Sequence, residues 1–162
     1  MRMRRLSSLL LVAAVLNSAC EPAVDLTTAL RVETISTGWV EAGVVAGQNK
    51  VVPAVSLRLK NASDRKLRVL QLNAVFRRVG DPSDWGSGFV TAAGSDGLPP
   101  AATVGPLFVH AELGYTGSDP HRELLRHPQF VDATVDVFAK YGSTQWTRIG
   151  AYPITRQLIA AP

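Results

Sequence analysis

The chain of 162 residues contains a single cysteine, Cys20, so no internal disulfide can staple it and the fold must be held by packing alone. Long hydrophobic runs are missing as well. The marked apolar stretch, residues 9–16, would make a helix of ~12–17 Å even with residues 6–8 counted in, against a hydrocarbon core of ~30 Å. A true excess of positive charge is also lacking. The formal +4 comes mostly from the first 19 residues, which carry three of the 17 basic residues (Arg2, Arg4, Arg5) and none of the 13 acidic ones. The remainder holds 14 basic against 13 acidic residues and has no basic stripe interleaved with aromatics, which argues against a nucleic-acid partner. No G-x-S-x-G elbow is present, and no strand–helix alternation offers a glycine-rich phosphate cradle.

What is present begins with an address. Arg2, Arg4 and Arg5 precede the apolar run 9–16, which is followed by Asn17, Ser18 and Ala19 and then by Cys20. A charged end, a short apolar middle and a small-residue exit are the layout of an export signal, here residues 1–19. Two cleavage chemistries compete. Ser18-Ala19-Cys20 resembles the lipobox of bacterial lipoproteins, in which small residues precede the cysteine that receives the lipid. Asn17 stands where that family usually has leucine, and Leu16 lies one place early. The resemblance implies lipidation of Cys20 and a periplasm-facing membrane anchor. Glu21, in place of the aspartate that resembles an inner-membrane retention signal, leans toward the outer membrane. The alternative is ordinary cleavage after Ala19 with Cys20 a free thiol, which an oxidising compartment would expose to oxidation. Arg4-Arg5 lacks the rest of a twin-arginine pattern.

After a tether at residues 20–28, the sequence reads as strands and turns. Leu30, Val32 and Ile35 open a first strand that Gly38 interrupts, and residues 39–45 continue it or form its hairpin partner before a polar turn at 47–50. Residues 51–60 alternate, with Val55, Leu57 and Leu59 against Ser56, Arg58 and Lys60. Pro53 belongs at the beginning of that strand or on a sheet edge, because it has no N–H to donate. The turn 61–66 leads to a second alternation, Leu70, Leu72, Ala74 and Phe76 against Gln71, Asn73 and Arg77, and the two runs read as a hairpin. Loops are expected at 80–88 and 94–105, with a brief strand at 89–92 between them. Residues 107–113 put Leu107, Val109, Ala111 and Leu113 on one face. Ser118-Asp119-Pro120 starts a helical turn or two, anchored by Leu124 and Leu125 and stopped at His127-Pro128. Strands at 130–140, 144–152 and 154–159 complete the chain. In the first of these Val131, Ala133, Val135 and Val137 oppose Asp132, Thr134 and Asp136.

About seven short strands with regularly spaced loops predict an all-β, antiparallel immunoglobulin-like sandwich over residues 29–162, with one short helix near 120–127. Residues 55–76, an alternating strand ending in Asn61, a polar turn and a strand closing on Ala74-Val75-Phe76, resemble the FxLYD and late-embryogenesis-abundant type modules of bacterial envelope proteins. That resemblance implies the same sandwich, with the asparagine ending one strand and the aromatic at its centre. Arg77 and Arg78 depart from the tyrosine and aspartate that would follow.

No catalytic set nominates itself. His121 and His127 are six residues apart, off a common helix face, so that even with Glu123 they make a poor metal site. His110 reads as an outward strand residue. Asp132 and Asp136 would lie ~13 Å apart along one strand, too far for a carboxylate pair acting on one bond. The expectation is no catalytic residue, no cofactor and no metal. Trp39, at the glycine break, and Trp85 and Tyr115, in glycine-rich segments, are the candidate recognition residues, since Trp and Tyr give large contact area at small entropic cost. The competing expectation is that they lock loops onto the sandwich ends. The reading is therefore a lipid-anchored periplasmic module that recognises an envelope protein. The alternative is a small-ligand binder with a pocket near Trp85 and Tyr115, and behind it a hydrolase grouping His110 with carboxylates.

Overall fold

The computed structural model describes residues 22–162; the expected export signal at residues 1–19 and the expected lipidation site Cys20 lie outside the described residues. In chain order the elements are α1 (Leu26–Ala29), β1 (Leu30–Val45), β2 (Gln48–Asn61), β3 (Leu70–Arg78), β4 (Gly86–Ala93), β5 (Thr103–His110), β6 (Tyr115–Gly117), α2 (His121–Leu124), β7 (Ala133–Tyr141) and β8 (Thr147–Pro153). They form an antiparallel β-sandwich. One sheet has the order β1-β2-β5, with β6 also on β2; the other has the order β4-β3-β7-β8.

The alternations expected from the sequence fill the space between the sheets. Val55, Leu57 and Leu59 of β2 face Leu70, Leu72, Ala74 and Phe76 of β3 and Ala133, Val135, Val137 and Ala139 of β7, all in one buried cluster. Fully burying one Val, Leu or Phe side chain contributes roughly 1.5–3 kcal/mol, so this interlayer replaces the missing disulfide. A smaller cluster (Val40, Val52 and Ala54 with Phe108 and Ile159) covers part of the opposite face of the first sheet.

Several local expectations are corrected. The runs 51–60 and 67–79 do not pair: β2 lies in one sheet and β3 in the other, and residues 62–69 carry the chain across the sandwich. Asn61 fixes that crossing. Its side chain is wholly buried, donates to the carbonyls of Arg65 (2.6 Å) and Leu98 (2.9 Å), and accepts from the Ser63 amide (3.0 Å) and hydroxyl (2.6 Å). Leu67, also fully buried, bridges to Leu98.

Gly38 does not break the first strand, since β1 runs straight through it. A Cβ there would come within 2.7 Å of Ile159 Cγ2 and 2.8 Å of the Gln157 carbonyl, so glycine admits the C-terminal segment. The polar turn is two residues, Ala46 and Gly47, both at positive φ (50° and 76°), a tight hairpin of the mirror-image type. Pro53 sits in the middle of a central strand. Its partner Trp39 points its backbone groups away, to Gln157 and Ile159, and the Pro53 carbonyl accepts from Ala111 (3.0 Å). The missing N–H thus faces residues 111–114, where the pairing of β2 passes from β5 to β6 and the ladder is already interrupted. Gly114 closes this break, where a Cβ would collide with the Val51 carbonyl.

Leu113 and Val131 lie outside the strands and are exposed, unlike the faces assigned to them. The helix near 120 shrinks to α2; Pro120 occupies its cap without any side-chain hydrogen bond, while Leu124 and Leu125 are buried as expected. The last strand reduces to a single parallel bridge, Leu158 to Trp39. Of the segment 20–28 expected as a tether, residues 25–28 belong to the capped turn α1. Asp25 caps α1 through the Thr27 amide (2.9 Å), and Leu26 and Ala29 are core residues.

Candidate functional site

The register divides the sandwich into two ends. At the proximal end, where the chain enters, Leu30 pairs with Asn61 and Leu70 with Tyr141. The Val24 amide donates to the Tyr141 hydroxyl there (2.5 Å), and Arg65 Nη1 donates to the Pro22 carbonyl (2.7 Å). At the distal end, Arg78 pairs with Ala133, the Trp85 amide donates to the Phe76 carbonyl (2.8 Å), and Ile154 bonds back to Ala133. Nine residue steps of β1 separate Leu30 from Trp39, ~30 Å of extended chain.

All three aromatic candidates meet at the distal end. The Trp39 ring centroid lies 5.9 Å from Trp85 and 5.7 Å from Tyr115, and Trp85 and Tyr115 are 5.0 Å apart. A fourth member, Phe130, packs 4.8 Å from Trp39 and 4.4 Å from Tyr115. Tilted and edge-on contacts of this kind add ~0.5–1.5 kcal/mol per pair beyond burial. Sequence reasoning missed Phe130, which was expected to open a strand. It lies instead in the segment that returns from α2 to β7, and only the meeting of separate segments marks it.

The cluster is an interlocked plug. Trp39 is completely buried, and its Nε1 has no hydrogen-bond partner among the described residues. Trp85 and Tyr115 are half-buried. The Tyr115 hydroxyl donates to the Val131 carbonyl (3.0 Å) and accepts from the Val131 amide (3.1 Å), pinning the segment after α2. Two guanidiniums cover the rim, Arg78 at 5.6 Å from the Trp85 ring and Arg156 at 5.1 Å from Phe130. Arg156 also bonds Asp132 (2.6 Å) and the Phe130 carbonyl (3.0 Å), and the bond to Asp132 holds its pKa above the ordinary guanidinium value. The adjoining groove, about 390 Å³, is open to solvent and lined by Gln48, Tyr115, Asp119, Leu124, His127 and Phe130 among others, with Trp85 absent from its wall.

Beyond this end the β1–β2 hairpin projects, exposed from Glu41 to Gly47, with Val44 (66% exposed) and Val45 (49%) at its tip. His121 ties its base through Nδ1 to Glu41 (3.4 Å). The other histidines stand apart, His110 against its neighbouring carbonyl and His127 accepting from the Gln129 amide. Among the described residues no group of three His, Cys, Asp or Glu side chains is arranged to hold a metal, and no helix is long and apolar enough to cross a membrane.

Asp132 and Asp136 are engaged separately, Asp132 with Arg156 and Asp136 with both Arg77 and Arg148. Arg77 reaches Asp84 as well (2.7 Å), so the centre of the outer face of the second sheet is a closed ion network.

No family model and no curated protein matches the chain. Among solved structures, an X-ray structure of the Northeast Structural Genomics Consortium target SoR45 is similar at 12% identity and a TM-score of 0.44, covering 80% of this chain and 89% of its own.

Proposed function

We propose that the protein is a lipid-anchored module of the bacterial envelope, facing the periplasm and held through Cys20, whose distal end recognises a protein partner without catalysing a reaction. One observation carries the reading: the chain enters the sandwich at one end, and the aromatic plug with its projecting hairpin occupies the other. Only two residue steps separate Cys20 from Pro22, a reach of ~7 Å, so a lipid on Cys20 would hold the proximal end against the headgroups and leave the distal end turned outward. Arg65, Lys66 and Arg68 border the groove beside Pro22 and Val24, where phosphates would lie. Asp25 and Asp64 temper that charge. The hairpin tip is the favoured contact because its two valines are apolar and uncovered, while the plug beneath it is packed rather than hollow. An enclosed ligand pocket near Trp85 and Tyr115 is disfavoured, since the neighbouring groove is open and half polar.

Two measurements test the reading. The mass of the mature N-terminal peptide should carry lipid on Cys20; a free thiol or a cut elsewhere would remove the anchor. A photo-crosslinking residue at Val44 should give one reproducible protein adduct in intact cells, abolished by Val45→Asp. The same probe at Lys66 should not give that adduct. Equal adducts from both ends would refute a distal recognition site.

A further inference from the structure

The outer face of the second sheet is divided in two. Its central part is the closed network of Arg77, Asp84, Asp136 and Arg148. The part toward the proximal end carries polar side chains that the described residues leave without a hydrogen-bond or ion-pair partner, beside exposed aromatic rings. The register puts Phe89, Asn73 and Phe138 in one row across β4, β3 and β7, and Thr91, Gln71 and Lys140 in the next. These positions alternate with the buried Leu70, Leu72, Val137 and Ala139, so all six point outward. Phe89 is 57% exposed. Trp146, 38% exposed, folds back from the β7–β8 turn to meet it at 6.2 Å between ring centroids. That turn is fixed by Thr144, whose hydroxyl donates to the Tyr141 carbonyl (2.8 Å), so Trp146 is held in place. The side-chain amides of Asn73 and Gln71 have no hydrogen-bond partner among the described residues. Lys140 has no carboxylate partner there; its ammonium lies 5.0 Å from the Trp146 ring.

Exposed rings beside free carboxamides and an unneutralised ammonium call for a ligand with three properties. It needs rings with apolar C–H faces to lie on aromatic side chains. It needs neutral donors and acceptors spaced like the ~7 Å between alternate residues of β3, to pair with Gln71 and Asn73. It needs a carboxylate for Lys140. An apolar protein surface would strand the two amides, and a nucleic acid would ask for more cations than this face has.

We propose that this face binds the glycan strand of peptidoglycan, whose sugar rings, acetamido groups and peptide-stem carboxylates supply all three. The choice of glycan rests on the periplasmic reading above; the binding assay does not. A module so equipped would hold a lipid anchor at one end and the cell wall along its flank.

The test is co-sedimentation of the purified mature protein with isolated peptidoglycan sacculi. Wild type should pellet saturably. Phe89→Ala combined with Trp146→Ala should weaken retention about tenfold or more at an unchanged melting temperature. Should that double variant lose its fold, Gln71→Ser with Asn73→Ser, both outward-facing, should lower retention in the same assay. Lys140→Met should weaken binding to sacculi but not to chitotetraose, which has the rings and acetamides without the carboxylates. Arg31→Ala, exposed on β1 of the other sheet, should change neither. Absence of wild-type pelleting, or equal pelleting of the folded patch variants, overturns the proposal. So does a concentration-dependent dimer in sedimentation velocity that the Trp146 variant abolishes, since the face would then be a contact between copies. Lipid on Cys20 without sacculus binding sinks this inference alone, and sacculus binding by a protein with a free thiol sinks only the anchor.

Discussion

Replacing Asn61 with alanine tests the account of the fold most directly, because one side chain holds the crossing between the sheets. Its amide nitrogen donates to two main-chain carbonyls, of Arg65 and Leu98, and its oxygen accepts two bonds from Ser63. The side chain is wholly buried, so truncation removes one of two bonds from each carbonyl, Leu98 keeping the Leu67 amide (3.0 Å) and Arg65 the Ser63 hydroxyl (3.2 Å), and it takes the side-chain acceptor from the Ser63 amide. A net intramolecular hydrogen bond contributes ~0.5–1.5 kcal/mol, and the Leu98 bond is the fully buried one of the four. Taking ~1 kcal/mol for the Leu98 bond and ~0.7 kcal/mol for each of the three shallower bonds to Arg65 and Ser63 gives about 3 kcal/mol, a large share of a typical ~5–15 kcal/mol stability. The melting temperature should fall by roughly 10 °C. Urea unfolding should show a lower midpoint at unchanged slope, which would mean that the cost lies in stability and not in a changed unfolded state. Asn61→Asp should be worse, because it turns a carboxylate oxygen toward carbonyls that need a donor. A loss under ~1 kcal/mol for Asn61→Ala, or an aspartate variant as stable as wild type, would refute the reasoning.

Other perturbations have outcomes fixed by single contacts. Gly38→Ala should displace the C-terminal segment from Trp39 at a cost of about 1–3 kcal/mol and raise hydrogen exchange at the Ile159 amide, which bonds the Trp39 carbonyl (2.9 Å). Trp39→Phe should be nearly neutral in urea titration, because a cavity cost of ~1 kcal/mol is offset by removing an indole N–H that has no partner, whereas Trp39→Ala should cost ~3–5 kcal/mol. Bonds from Thr27 to Asp25, and from Ser83 to Asp81, hold both carboxyls below the ordinary aspartate value. Their contribution is therefore complete above that value and is lost as pH falls through the depressed one, so acid unfolding monitored by circular dichroism should flatten at its low-pH edge in Asp25→Asn combined with Asp81→Asn.

The strand interiors were legible because alternation is a local signal. Residues 55–59, 70–76 and 133–137 need only know which of their side chains are apolar to choose an inward face. Partner choice was not legible. The segment 61–66 has the composition of a hairpin turn, yet it crosses between sheets, since what decides is whether Asn61 meets the Leu98 carbonyl from a loop 37 positions later. The same holds for Gly38, whose need for a bare Cα comes from Ile159, more than a hundred residues away. Trp39, Trp85 and Tyr115 were visible as large rings in glycine-rich surroundings, but their convergence belongs to tertiary structure. So does the meeting of Phe89 with Trp146, which follows from the register of β3 with its two neighbours. The lipobox resemblance at Cys20 lies outside the described residues and stands as it did in the sequence.

A tether is informative about orientation only if the body it holds cannot swivel on it. Here the segment after Pro22 is not a free linker: Arg65 grips the Pro22 carbonyl, Tyr141 takes the Val24 amide, Asp25 caps α1, and Leu26 is in the core. The contacts come from the 62–69 crossing between the sheets and from the end of β7 in the second sheet. Under the proposed lipid on Cys20, the slack between bilayer and body shrinks from the ~30 Å of a nine-residue tether to the ~7 Å of two residue steps. A rigid proximal end so close to the headgroups would keep β1 directed away from the membrane, with Trp39 ~30 Å along it and the hairpin tip another ~20 Å beyond. Releasing the grip should therefore cost orientation rather than stability. In Arg65→Ala combined with Tyr141→Phe, the melting temperature should stay within a few degrees of wild type, as surface changes generally do. The Val44 crosslink should become diffuse, and a sharp, unchanged adduct would mean that the distal end is aimed by its partner and not by the anchor.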